Sequence, residues 1–193
     1  MDFFELAFRA RTCRRFREEE GLPAGSLDWL VDCARLAPNG GNAQVLRYAV
    51  VATPEGCAAL FPLLKWAGYY HDWDGPEAGE RPAGYIVLLG EAGKREQVTS
   101  IDAGIAAQTI QLAAASRGIG CCIFMTFNPR DVGRMLELPD GVAPLLVLAL
   151  GMEKEVRCIE SMPADGSVKY WRDEQGVHHV PKRSLEEVVI VRK

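Results

Sequence analysis

The amino-acid sequence predicts one domain built on a single β-sheet with helices on both faces, followed by an irregular C-terminal arm. Three observations carry this expectation. Strand-length apolar stretches alternate with stretches of helical period up to Gly151. The chain has 193 residues, enough for one domain that buries roughly 70% of its unfolded surface without metal or disulfide staples. After Met152 the pattern changes, and residues 152–180 are polar and broken.

Composition excludes several classes. Hydrophobic residues make up 48% and charged residues 25%, which rules out a disordered or collagen-like chain. The formal charge of −4, with no basic stripe interleaved with aromatics, argues against a nucleic-acid binder. The longest apolar run, residues 143–150, contains Pro144 and is too short to span a bilayer. The start Met1-Asp2-Phe3-Phe4-Glu5 lacks the basic segment and apolar core of a signal peptide, so a cytoplasmic location is expected. The six cysteines are then reduced thiols, and none lies in a Cys-x-x-Cys pair.

The elements follow in order. Residues 3–9 read as a short helix with Phe3, Leu6 and Ala7 on one face. Ser26 is placed as the N-cap of a second helix whose apolar face is Leu27, Leu30, Val31 and Ala34, with Pro38 ending it. Residues 48–52 form a strand, and Thr53-Pro54-Glu55 opens a helix with a capping hydroxyl and a proline in the first turn. Residues 66–82 carry Gly, Pro, Asp and aromatics without a period and read as a long loop. A buried strand spans 85–90. Residues 100–117 are the longest helix, with Ile101, Ile105, Gln108 and Leu112 in helical spacing and alanine on the other faces, as in a central or subunit-contact helix. A strand at 121–126, a helix opened by Asn128-Pro129-Arg130-Asp131, and a strand at 145–151 complete the body. Residues 152–193 form an arm over the body or a partner subunit, ending in a short helix turning into a strand at 185–191.

Two segments carry chemistry. In Arg11-Thr12-Cys13-Arg14-Arg15-Phe16, guanidinium forks match phosphate oxygens two at a time and Thr12 adds a hydroxyl; a solvated basic turn has the same composition. In Ala37-Pro38-Asn39-Gly40-Gly41-Asn42-Ala43-Gln44, glycines admit close approach of a flat ligand, and carboxamides offer donor and acceptor together to a ring edge. An ordinary Asn-Gly turn is the alternative reading.

Together, in this order and spacing, the two segments resemble the nitroreductase family of flavin mononucleotide (FMN) enzymes, whose pattern is Arg-Ser-x-Arg-x-Phe followed by Ala-Pro-Ser-x-x-Asn-x-Gln-Pro-Trp. Asp102-Ala103-Gly104 through Gln111-Leu112-Ala113-Ala114, then Gly118-Ile119-Gly120-Cys121-Cys122, is similar to that family's central helix and next strand, and Leu148-Ala149-Leu150-Gly151 to the strand before its arm. The resemblance implies an α+β fold: a three-layer α/β/α sandwich with a mixed, mainly antiparallel sheet and an extended C-terminal arm. It implies that Arg11, Thr12, Arg14, Lys182 and Arg183 hold the flavin phosphate. Pro38, Asn39, Asn42 and Gln44 would meet the ring or ribityl chain, with Ile123, Phe124 and Met125 running beside the ring. It further implies NADPH or NADH as electron donor and a homodimer with flavins at its interface. Three departures stand out: Val45-Leu46 replaces Pro-Trp, Ala10 stands where many relatives have arginine, and Phe124-Met125 replaces small residues beside the ring. The last narrows the space over the flavin.

Trp66, Tyr69, Tyr70 and Trp73 read either as a lid that stacks on a flat substrate or as a surface loop pinned by its own aromatics. Trp66, Tyr69, Tyr70 and Phe124 are therefore the candidate substrate pocket. His178-His179 with Cys121 or Cys122 lacks a fixed third and fourth ligand, so no metal is expected. The vicinal Cys121 and Cys122 lie in a strand, one facing each side, as buried inert thiols. The expected activity is hydride transfer from NAD(P)H and electron delivery to a flat acceptor such as a nitroaromatic or quinone. A non-turnover flavin carrier or sensor, motivated by the crowded Phe124-Met125, is the alternative, with specialised flavin chemistry such as reductive dehalogenation as a third. A flavodoxin-like carrier fits less well, because its phosphate loop follows a first strand whereas a helix precedes Arg11.

Overall fold

The computed structural model describes residues 2–91, 93 and 96–193. Helix α1 (Phe3–Arg9) opens with a capping box between Asp2 and Glu5. Helix α2 (Ser26–Arg35) starts one residue earlier than a Ser26 cap would give. Gly25 takes the cap position with φ +75°, and Ser26 is a buried first-turn residue. The left-handed turn at Gly25 redirects the chain there, a job that glycine does without strain. Strand β1 (Arg47–Val51) leads into α3 (Pro54–Leu60), which Thr53 caps through Gly56 N–H. Strand β2 (Gly84–Glu91), helix α4 (Glu96–Ser116), strand β3 (Ile119–Phe124), helix α5 (Pro129–Met135) and strand β4 (Val142–Met152) follow.

The four strands pair in the order β1-β2-β4-β3, each neighbour antiparallel. Because side chains alternate across a strand, the sheet divides its residues between two cores. Tyr85, Val87, Cys122, Phe124, Val147 and Ala149 face α3, α5 and the 66–82 loop. Ile86, Leu88, Cys121, Leu148 and Leu150 face α2 and α4. Cys121 and Cys122 thus point to opposite faces, and burial drives the Cys122 thiol up to about 12 and Cys121 well above its ordinary value. Pro144 sits where the β2–β4 register shifts, so its missing N–H falls at an irregularity of the ladder.

The buried stripe of α4 is Ala103, Ala106, Ala107, Ile110 and Ala114, whereas Ile101 is 56% exposed. The expected Ile101–Leu112 stripe is therefore not the core face. The small alanines around Ile110 let α4 approach the sheet closely, and Ile101 remains outside.

The stretch expected to be irregular holds a second sheet. Strands β5 (Arg157–Ser161), β6 (Trp171–Arg172) and β7 (His178–Lys182) pair in the order β5-β7-β6. The β5–β7 pair is parallel and β6–β7 antiparallel. These strands are short and polar, and β6 has only two residues, so no apolar alternation marks them. The chain closes with α6 (Leu185–Val188), capped by Ser184, and residues 189–193 form no strand, which corrects the expected helix-to-strand ending.

Candidate functional site

A notch in the main sheet places the arginine segment. Gly120 and Gly151 are register partners on β3 and β4. A Cβ at Gly120 would lie 2.7 Å from Cys13 Sγ, and one at Gly151 would lie 2.9 Å from Phe16 Cδ1. Cys13 and Phe16, both fully buried, fill the space those absent side chains leave. Cys13 N–H also donates to Cys121 O at 2.9 Å along the free edge of β3. With Cys13 and Phe16 anchored, Arg14 between them is fixed.

Arg11, Thr12 and Arg14 line a cavity of about 630 Å³ together with Lys182 and Arg183 from the arm. The residues expected to grip a phosphate from the two ends of the chain are thus brought together. Four cations border this cavity and, among the described residues, no carboxylate does. Arg14 is 9% exposed, and among the described residues no carboxylate lies within ion-pair distance of its guanidinium. Its backbone N–H is held by Glu155 Oε2 at 2.8 Å, while Glu155 Oε1 pairs with Arg172 at 2.6 Å. Burial, and then the nearby Arg157, lower the Arg11 pKa from its ordinary value. The Nε–H groups of Arg11 and Arg14 are buried without a partner. Buried, unpaired donors on cations are costly, and a bound anion would satisfy them.

His178 buttresses Arg14. It is 1% exposed, with Nε2 3.3 Å from Arg14 Nη1 and Nδ1 2.6 Å from Tyr70 Oη. Burial, reinforced by Arg14, Arg172 and Arg157 against Glu155, pushes its pKa down to about 4, so the ring is neutral near pH 7. A guanidinium only donates, so Nε2 must accept and the proton sits on Nδ1, donated to Tyr70.

That contact resolves the aromatic loop. Tyr70 packs edge-on against Tyr170 and Trp73, and Arg172 lies 5.0 Å over both Tyr70 and Trp73. The loop is pinned by the arm. Of the four residues expected in the substrate pocket, Trp66 and Tyr70 line a second cavity of about 670 Å³, with Trp73 and Thr126. Tyr69 instead packs on Tyr170 at 4.8 Å. Phe124 is 4% exposed and meets Trp66 edge-on at 4.7 Å in the core, so its side chain crowds neither cavity, contrary to expectation. The alternation of β3 turns Phe124 inward, and Met125, just past the strand, is 80% exposed.

The carboxamide loop is built elsewhere. Asn39 Oδ1 accepts from Gln44 N–H at 2.9 Å, and Asp102 Oδ1 accepts from Gly40 N–H at 2.9 Å. Asp102 therefore ties the loop to α4. Asn42 and Gln44 hold φ of +52° and +49°, a conformation that costs a non-glycine residue free energy and clusters at functional positions. Pro38, Asn39 and Gln44 line a cavity of about 140 Å³ that shares no residue with the arginine cavity. Within one chain, then, the loop and the arginine cluster are not brought together.

Sequence reading missed Gln108, Gln111, Tyr170 and His178, which all line the arginine cavity. Gln108 and Gln111, three apart in the alanine-rich second half of α4, were a usable signal. His178 and His179 do not join Cys121 or Cys122, because the strand sends the two rings to opposite faces. His179 instead lies between Glu160 Oε1 at 2.7 Å and Asp173 Oδ2 at 3.0 Å, and these contacts raise its pKa.

Comparisons with known proteins agree with this architecture. The family model described as "Nitroreductase family" matches residues 7–152. A curated relative, the FMN reductase (NADPH) of Bacillus subtilis, is 30% identical over 164 residues, covering 76% of this chain but only 64% of its own length. Among solved structures, a nitroreductase family protein of Clostridium difficile 630 superposes with a TM-score of 0.65 at 27% identity, covering 81% of this chain and 87% of that one. A Bacteroides thetaiotaomicron structure described as a putative NADH dehydrogenase/NAD(P)H nitroreductase gives 0.64 at 21% identity over 91% and 95% of the two chains, a likeness of fold alone. With the arginine segment, central helix and sheet all inside the matched span, the chain belongs to the nitroreductase family.

Proposed function

We propose that this protein is an FMN-dependent oxidoreductase that takes hydride from NADPH or NADH and passes electrons to a flat acceptor, such as a nitroaromatic or quinone, in alternating half-reactions. The observation that carries the reading is the cavity of about 630 Å³ bordered, among the described residues, by four cations and no carboxylate. A phosphate ester brings close to two negative charges near pH 7, which suits that cavity and the unpaired Nε–H groups of Arg11 and Arg14. Arg11, Thr12, Arg14, Lys182 and Arg183 would hold the phosphate. Pro38, Asn39, Asn42 and Gln44 would meet the ring or ribityl chain, with the end of β3 at Ile123, Phe124 and Met125 alongside.

Bound FMN supplies the two-electron chemistry; the protein supplies position and exclusion of water. Arg14, braced by His178, fixes the phosphate end. Tyr70, bonded to His178 and lining the aromatic cavity, links that end to the space where a flat acceptor fits beside Trp66 and Trp73. The curated relative's name pairs FMN with NADPH, which supports a nicotinamide donor.

Two features support a homodimer. Phe3, Phe4 and Phe8 are 71%, 79% and 52% exposed, and Ile190 is 91% exposed, an apolar surface of the kind a partner covers. The carboxamide loop does not reach the arginine cavity of its own chain, and a second copy would offer its loop there. Among the described residues no helix is long and apolar enough to cross a membrane; we place the protein in the cytoplasm. The carrier reading loses half its motive, because Phe124 lies in the core while Met125 is exposed.

The test is the visible spectrum of FMN-loaded protein under anaerobic NADPH, then NADH. Bleaching is the expected outcome. A saturated flavin that neither nucleotide bleaches would overturn the proposal.

A further inference from the structure

The outer face of the arm sheet gathers a different chemistry. Cys158 and Glu160 are two apart on β5, so their side chains share a face. In the parallel β5–β7 pair, Cys158 is the register partner of His179. The Cys158 thiol, the Glu160 carboxylate and a His179 ring nitrogen all lie within 4.8 Å of one another. We propose that Cys158, Glu160 and His179 form a binding site for one zinc-class divalent cation.

Three arguments support the assignment. The first is donor type. Thiolate, imidazole and a single carboxylate suit a borderline-soft ion and not magnesium or calcium, which need shells of oxygen. Three protein ligands leave a fourth tetrahedral position for water on a face where Cys158 is exposed.

The second is support behind the ligand. His179 Nε2 lies 3.0 Å from Asp173 Oδ2, and its ring stacks on Trp171 at 5.0 Å with an interplanar angle of 3°. Donation of Nε2–H to Asp173 leaves Nδ1 directed at Glu160 Oε1, 2.7 Å away. A carboxylate behind the distal nitrogen is the usual outer-shell partner of a metal-bound histidine, and stacking fixes the ring plane.

The third is fit. Metal–donor bonds of about 2.0–2.3 Å in a tetrahedron separate the donors by roughly 3.5 Å. Glu160, with a side chain 37% exposed, needs to withdraw by about 1 Å to admit the ion. Binding displaces the thiol proton and any proton on Nδ1 to solvent. Without an ion, Glu160 accepts from both the Cys158 thiol and His179, so all three donors already converge on one point, and a cation would replace those two hydrogen bonds. The consequence reaches the arginine cavity, because His178, the neighbour of His179, faces Arg14 on the other side of β7. A cation joining β5 to β7 would stiffen that wall.

The experiment uses the full chain, reduced and stripped of metal, titrated with Co²⁺ and followed by difference absorption, then with Zn²⁺ by equilibrium dialysis. One ion per chain is expected, with a thiolate-to-cobalt charge-transfer band that disappears in Cys158→Ser. Asp173→Asn should weaken Zn²⁺ binding by about 10–100-fold while keeping the band. His179→Gln should abolish binding, and circular dichroism reports whether it folds. Cys158 is exposed and its replacement leaves the His179 contacts intact, so Cys158→Ser decides the matter even if His179→Gln misfolds. No stoichiometric binding, or equal Zn²⁺ affinity in Cys158→Ser and the parent, would overturn the assignment as adventitious surface binding.

Discussion

The two sheets of this protein are held together by different forces. The four-stranded sheet is apolar on both faces, and Ile86, Val87, Leu88, Val147, Leu148, Ala149 and Leu150 are all fully buried. The three-stranded arm sheet has few such residues. It is fastened by Glu155 to Arg172 and Arg14 N–H, by Arg157 to Arg11 O, and by His178 to Tyr70. Apolar burial is additive and non-directional, so the first sheet tolerates local change and specifies a core. A polar network is directional and fails where one partner is lost. The arginine cavity lies between the two, with Arg14 anchored by the first sheet and oriented by the second.

The sharpest way to break the contrast is to open a hole in the first sheet. Leu148→Ala should lower global stability by about 2–5 kcal/mol, read from urea denaturation. Every probe should shift together, because both cores share that strand. A smaller loss confined to the arm would mean the sheets do not fold as one unit.

Next is a change at the junction. Arg14→Ala should weaken FMN binding by about 1.5–3 kcal/mol, the range for a charge-assisted contact, as measured by flavin fluorescence titration. Urea stability without flavin should change less than in Leu148→Ala, since the arginine is held by Cys13 and Phe16 and does not itself fill a core. Unchanged flavin affinity would remove Arg14 from the site.

The same contrast explains what could be read from sequence. Main-sheet strands were legible because strands buried on both faces read as short, continuous apolar runs. Their termini shifted by up to three residues, and the cap of α2 moved from Ser26 to Gly25. The clustering of Arg11, Thr12, Arg14, Lys182 and Arg183 was legible only through the family resemblance, since by composition the arginine segment reads equally as a solvated turn. The arm sheet was not: β6 has two residues, and its stability resides in pairs such as Glu155 with Arg172 that are far less evident in a linear chain. The direction of the Phe124 side chain was not legible, because which face of β3 it takes is set by the register with β4. His178 was missed because its neighbour His179 drew attention to metals, whereas the ring is buried against a cation and a phenol.

Tyr70→Phe tests the link between loop and arm at a smaller scale. It removes the acceptor for His178 Nδ1–H and should cost about 1 kcal/mol, seen as faster amide hydrogen exchange in β7 with little change in the main sheet. Equal acceleration in both sheets would show that the network supports the whole fold and not the arm alone.

The smallest effect is expected at the arm's outer face. Cys158→Ser in metal-free buffer should change stability by no more than about 0.5 kcal/mol, because the thiol is exposed and fills no core. The main sheet supplies the control without any mutation. Burial raises Cys13 to about 11 and Cys122 to about 12, leaving almost no thiolate near pH 8 and no path for a reagent. Ellman's reagent should therefore modify Cys158 in the native protein and reach Cys13, Cys121 and Cys122 only as urea unfolds the chain. Early labelling of the buried three would place the weak point in the apolar sheet, and the division of labour between burial and polar pairing would have to be reversed.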